Sequence, residues 1–259
     1  MTDADAQLLA RLPQFANGFV LVLARVGAAC MLLPGIGEAE LPAMIRAGFA
    51  LALTALLLPV LGPALPPAPA DVAHGLALLV GELAAGLLLG WLARLAIAAL
   101  PVGGQIIALL AGQASILQPD ALLGPEGAAI GRLLGLAGIV LLLASGAYAL
   151  PLQALVGSYR VLPAGTLLPA GDMAAAAVAA VSACFALALR LAAPFLLAGI
   201  VWNVTLAALG RLAPQVQAFY LAAPLQLLGG VLLFGALAAA VLRAWGVAAA
   251  AVFAGLPGH

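Results

Sequence analysis

Lysine does not occur in this chain, and arginine is scarce. Nine basic residues balance nine acidic ones, so the net charge is zero. That removes the basic patch a nucleic-acid partner needs and the polybasic segment of an electrostatic membrane anchor. Charged residues make up 7% of the chain, against about 25% in an ordinary soluble domain, and 66% of residues are hydrophobic. Too few polar side chains remain to cover the outside of a soluble fold, so lipid or protein must cover it. Cysteine and histidine are equally sparse. Cys30 and Cys184 lie inside apolar runs, where they act as small hydrophobes, and no disulfide framework is expected. His74 and His259 have no second ligand nearby, which argues against a metal site. Ser115, Ser145, Ser158 and Ser182 lack a base at any recognisable spacing. There is no phosphate-binding loop, zinc-protease motif or dinucleotide fingerprint. The expectation is a non-enzymatic protein with no catalytic residue, no cofactor and no metal. The opening MTDADAQ has two aspartates and no base, the wrong start for a cleaved signal, so the N-terminus is expected to be retained.

What the chain has in abundance is long apolar runs. A helix needs about 20 apolar residues to cross the hydrocarbon of a bilayer. Candidates are 15–33, which stops at Pro34-Gly35, and 43–61, with Arg46 near its start and Pro59 near its end. A proline-rich connector, GPALPPAPAD, follows. The run 72–100 is longer than one span requires. Residues 104–117 are apolar but too short to cross, and lie between Pro101 and Pro119. Such a segment is expected to be re-entrant or a buried hairpin, since non-helical backbone at membrane depth must be surrounded by protein or water. Further runs cover 128–156, 173–209 with Pro194 in the middle, and 218–253 with Pro224 early. Prolines inside apolar runs predict bent or broken helices. The expected fold is all-α: a multi-helix integral membrane protein of about five to seven embedded elements, with kinked helices and a re-entrant or plug-like loop. Arginines fall almost one per element, so the usual basic bias of cytoplasmic loops is missing.

Glu82, Arg94, Arg132, Arg190 and Arg211 lie in or beside the apolar runs. A charge at the bilayer centre costs about 3 kcal/mol on insertion scales, so each needs a partner, a cavity or the interface. Pairing or snorkelling is the favoured reading over an ion path. Glycine pairs four residues apart occur at Gly86/Gly90, Gly127/Gly131 and Gly131/Gly135. Composition alone yields about three such pairs by chance, so the spacing identifies no particular interface.

Four blocks carry a resemblance. The first, LARVGAACMLLPGIGEAELPAMIRAGFALALTALLLP at 23–59, has Arg in the first helix, Pro, a short loop, Pro, Arg, a second apolar run and Pro. The second, GLLLGWLARLAIAALPVGGQIIALLAGQASILQPD at 86–120, is a glycine-spaced helix followed by Gly-Gln-Ile-Ile, a further Gly and Pro. The third is SGAYALPLQALVGSYRVLPAG at 145–165, and the fourth LAAPFLLAGIVWNVTLAALGRLAPQVQAF at 191–219, with a proline-centred helix and an Arg-x-Ala-Pro-Gln turn. Together, in order and at the expected length, they resemble the FliR family of flagellar biosynthetic proteins. That family is shared with the matching subunit of virulence type III secretion systems. The chain departs at Ala147, where the family often has His, at Gln118, with the acid displaced to Asp120, and at Gly210, often Asn.

The resemblance implies a structural subunit of the flagellar type III export gate. It would form an export channel with FliP-like and FliQ-like subunits, with an FlhB-like subunit as a further partner. Unfolded export substrates would pass in transit. The place implied is the bacterial inner (cytoplasmic) membrane, multi-pass and in contact with membrane lipid, at the flagellar basal body. Residues 1–172 would be the FliP-like part, with a plug-like segment at 101–120, and 173–259 a FliQ-like C-terminal helical hairpin. In the family a loop at this place closes the resting pore. That makes Gly103, Gly104, Gln105, Gly112, Gln113 and Ser115 the candidate channel or plug residues, and Pro194 and Pro224 the candidate helix-kink residues. The alternative is a small secondary transporter or channel using 101–120 as a broken substrate-binding element. The chain shows none of the internal inverted repeats such transporters often have.

Overall fold

The computed structural model describes residues 3–113, 129–166, 170–212 and 218–258. Seven α-helices account for most of them: α1 (Asp3–Leu32), α2 (Ala43–Leu61), α3 (Val72–Leu110), α4 (Ala129–Ala144), α5 (Ala149–Val161), α6 (Ala170–Leu212) and α7 (Ala218–Ala254). No strand occurs among the described residues. α1, α2, α3, α6 and α7 are long and apolar enough to cross a membrane, and the broken pair α4 and α5 supplies a sixth span if counted as one. The protein is an all-α, multi-helix membrane protein, as composition requires.

The helix ends follow local chemistry. Pro42 precedes α2 in an extended conformation, and α2 runs into Gly62-Pro63, which close a short 3-10 turn. Asp71 caps α3: its Oδ1 accepts the backbone N–H of His74 at 2.5 Å. This satisfies one of the free donors of the first turn. The run 128–156, expected as one stretch, is two helices. Gly146 adopts φ +74°, a left-handed conformation that costs glycine nothing and other residues much, and the chain turns there. The backbone N–H of Ala149 closes that turn on the Gly146 carbonyl at 3.1 Å.

The second difference concerns Pro101. The expected break at Pro101 is absent. α3 continues through it to Leu110, so Gly103, Gly104 and Gln105 are helical and not part of a re-entrant loop. Pro13, Pro59, Pro194 and Pro224 likewise lie inside helices. A proline leaves the carbonyl four residues earlier without its donor, but apolar helices tolerate this when neighbouring helices or side chains compensate. The turn out of α3 comes later, at Ala111–Gln113, and the remainder of 101–120, with Ser115, lies outside the described residues.

Two compact units can be distinguished. Unit 1 comprises Met1–Leu95, Ser145–Ala180 and Ala250–His259; unit 2 comprises Ala96–Ala144 and Val181–Ala249. α3, α6 and α7 each contribute residues to both. This division by contact differs in kind from the expected one at 172/173, which concerns likeness to other subunits.

In unit 1, α1 buries Leu21, Val22, Val26 and Ala29, and it meets α3 at Arg25, Ala28 and Ala29. The approach is close because α3 has no side chain there. A Cβ at Gly86 would strike the Arg25 carbonyl, and one at Gly90 would lie 2.8 Å from the Ala29 carbonyl. Half of the apolar α1 window is buried, against 6% of the α7 window. α7 therefore presents Leu225, Leu228, Val231, Leu232 and Val247 outward, and α2 presents Met44, Leu56 and Val60. Such faces require lipid or another apolar protein surface.

Candidate functional site

The buried polar centre of unit 1 is built around Arg25. Its side chain enters the core from the C-terminal third of α1; the residue is only 1% exposed, as is Glu82 of α3. The two meet in a fork: Nε donates to Glu82 Oε2 at 2.7 Å and Nη2 to Oε1 at 3.1 Å. The rest of the guanidinium is also engaged. Nη1 donates to the Leu162 carbonyl at 2.8 Å and to Ser158 Oγ at 3.3 Å, and the cation lies 4.2 Å from the centre of the Tyr159 ring. The Ser158 hydroxyl donates to the Leu155 carbonyl at 2.6 Å, and Glu82 Oε1 accepts the Gly165 backbone N–H at 2.9 Å. A buried charge is tolerable when it is paired and its remaining donors and lone pairs are satisfied. α1, α3, α5 and the turn after α5 are thereby tied to one guanidinium. The cluster holds structure. It offers no nucleophile with an adjacent base and no open position for a reactant.

A second pair, nearer the surface, fixes the loop after α1. Arg94 Nη2 donates to Glu38 Oε2 at 3.1 Å, and Glu38 Oε1 also accepts the Gly35 backbone N–H at 3.3 Å. The Arg94 side chain is 39% exposed, so solvent weakens this pair. Two of the charges singled out from the sequence, Glu82 and Arg94, are thus paired. Arg132, Arg190 and Arg211 are exposed and form no ion pair among the described residues.

The described candidate channel residues fall in unit 2. Gly103 packs against α6, where a Cβ would lie 3.2 Å from the Ala188 carbonyl. Gly104 packs against Gly131 of α4, with 2.6 Å between its Cβ position and the Gly131 Cα. The Gln105 amide also reaches Gly131: Nε2 lies 2.7 Å from the position of a Cβ there. Gly112 adopts φ +79° and turns the chain out of α3 against the side chain of Gln226. The buried Oε1 of Gln113 has no hydrogen-bond partner among the described residues. Pro194 and Pro224 lie on exposed positions within α6 and α7.

The sequence pattern of the bacterial export proteins, family 1, matches residues 16–251. The chain belongs to that family. Among family relatives, the flagellar biosynthetic protein FliR of Caulobacter vibrioides is 31% identical over 236 residues, covering 89% of this chain and 94% of its own. FliR of Escherichia coli is 29% identical over 226 residues, covering 85% and 84%. FliR of Bacillus subtilis is 27% identical over 214 residues, covering 81% of each. The family match takes in the Arg25 cluster and the end of α3.

Sequence reasoning singled out Glu82 without its partner, carried Tyr159 and Trp202 only as letters of the family blocks with no role, and did not reach Gln226. A usable signal was present for the last. Gln226 is an amide within an apolar stretch of α7, two residues after Pro224, where an unpaired amide is costly.

Proposed function

We propose that this chain is a structural subunit of the flagellar protein export apparatus in the bacterial inner membrane. In this reading it joins FliP-like and FliQ-like subunits to line the export channel, with an FlhB-like subunit as neighbour, and unfolded flagellar proteins pass through. Residues 1–172 act as the FliP-like part and 173–259 as the FliQ-like hairpin, with Pro194 and Pro224 shaping the bends of its two helices. The family match over 16–251 carries the reading. The outward apolar faces of α2 and α7 support it, because they suit helix packing against other small membrane subunits as well as lipid.

Residues 101–113, the described part of the candidate plug stretch, border the channel in this reading. Three observations support that placement: the end of α3 at Leu110, the glycine turn at Gly112 and the glutamine that follows. Deleting the gene should abolish export of flagellar proteins and motility while leaving growth unchanged. A deletion strain that swims would refute the assignment. Mild-detergent purification should recover the chain in a stable complex with two other small membrane proteins. A lone monomer active in solute transport would favour the transporter alternative. Removing 108–115 should let ions leak through the assembled complex.

A further inference from the structure

The end of α3 is held by a side chain from another helix. Leu110 is the last residue of α3, and the residue one helical turn further on lies outside the described residues. The backbone N–H groups of Ala111 and Gly112 turn back to the Ile107 and Leu109 carbonyls, at 2.8 and 3.2 Å. Neither serves Leu110. Its carbonyl accepts from Gln226 Nε2 of α7 at 3.1 Å. The opposite end of the same amide, Oε1, accepts the indole N–H of Trp202 of α6 at 3.1 Å.

The chemistry fixes which way the amide points. An indole N–H can only donate and a backbone carbonyl can only accept. Only one orientation of Gln226 satisfies both, with oxygen toward Trp202 and nitrogen toward Leu110. A flipped amide would lose both bonds. The surrounding space is built for this contact. A Cβ at Gly230 would lie 2.6 Å from the Ala111 Cα, one at Gly199 3.1 Å from the Leu110 side chain, and one at Gly112 3.3 Å from Gln226 itself. Three glycines, one each from α6, α7 and the turn, bring the backbones near enough for a single glutamine to span the gap. The same residues edge an apolar cleft of about 290 Å³ lined by Phe195, Ala198, Leu225 and Leu233.

We propose that Gln226 is a latch: a positioning residue that holds the end of α3 and the turn Ala111–Gln113 in place, with Trp202 locking its orientation. The proposal rests on the reading of 101–113 as channel-bordering. In that reading the latch sets how readily the turn is displaced, and hence how tightly the resting complex holds back ions.

The test uses the full chain assembled with its partner subunits. Gln226→Leu keeps the bulk and loses both bonds. Gln226→Glu, ionised, keeps the acceptor for Trp202 but cannot donate to Leu110. Trp202→Phe removes only the lock. Hydrogen–deuterium exchange over 107–113 and ion leak in vesicles are measured for each, with exchange over 130–142 of α4 as the control for folding. Both Gln226 variants should raise exchange at 107–113 roughly five-fold, the effect of one lost net hydrogen bond, and raise ion leak. Trp202→Phe should do the same to a smaller degree, and it decides the matter if the Gln226 variants fail to assemble. Unchanged exchange at 107–113 in Gln226→Leu overturns the latch. Raised exchange with no leak, together with a tight complex after deletion of 108–115, leaves the latch standing as a positioning contact and overturns the channel reading instead.

Discussion

Unit 1 buries a full ion pair, whereas the described side-chain bonds that tie unit 2 together are neutral. In unit 1, Arg25 and Glu82 are each 1% exposed, and every described bond of the cluster except that from Ser158 to the Leu155 carbonyl draws on one or both of them. In unit 2 the Trp245 indole donates to the Ala96 carbonyl at 3.0 Å, Gln226 bridges Trp202 and Leu110, and glycines bring the helices together. The physical consequences differ. A buried charge left without its partner is strongly penalised, so the unit 1 contact is close to all-or-none. A neutral bond contributes modestly and can be lost alone, so unit 2 contacts can open one at a time. For a protein that belongs to an export family, the contrast separates a fixed part from a part able to yield.

The largest expected effect tests the fixed part. Arg25→Leu should destabilise the chain by about 3–5 kcal/mol, because Glu82 is left buried and uncompensated. Thermal unfolding of the purified chain in detergent measures this. The double variant Arg25→Leu with Glu82→Leu should be less damaging than Arg25→Leu alone. Equal losses would show that packing volume, and not charge pairing, holds unit 1 together.

Glycine substitutions give the next effect and ask whether close approach matters equally in both units. Gly86→Ala in unit 1 and Gly230→Ala in unit 2 both force a methyl into a neighbouring backbone. Each should cost about 1–3 kcal/mol by overpacking. Gly229→Ala, one residue from Gly230 but with nothing within 4 Å of its Cβ position, should be neutral or stabilising by up to about 1 kcal/mol, because alanine is the better helix former. The same thermal assay distinguishes them, and a loss at Gly229 equal to that at Gly230 would show that helix propensity is not the deciding term.

The smallest effect is at the solvent-weakened pair. Arg94→Ala should change stability by about 0–1 kcal/mol, since its side chain is 39% exposed, and that change should shrink further as salt is added. A loss comparable to that of Arg25→Leu would mean the loop after α1 matters as much as the buried centre.

Much of this was legible in the residues and some was not. The need for a membrane, the all-α class and most helix positions follow from apolar runs too long and too poor in charge for any soluble fold. Pro101 misled because a proline is a break in water and only a missing bond inside a packed apolar bundle. Gly146 was passed over because a left-handed turn leaves no trace in hydropathy. The Gly86/Gly90 pair could not be told from chance by spacing, yet it is where α1 and α3 touch.

The sequence by itself determined that this chain must live among lipid or apolar protein, that it is helical, and, through its ordered motifs, which family it resembles. Only the tertiary structure decided that Glu82 answers Arg25, 57 residues away in the chain, and that Gln226 answers Leu110, 116 residues away. The reason is physical. Hydropathy and helix periodicity are local properties, set by neighbours along the chain. The partner of a buried polar group is set by which helix faces pack together, and in a chain this uniformly apolar nearly every face looks alike until the helices have met.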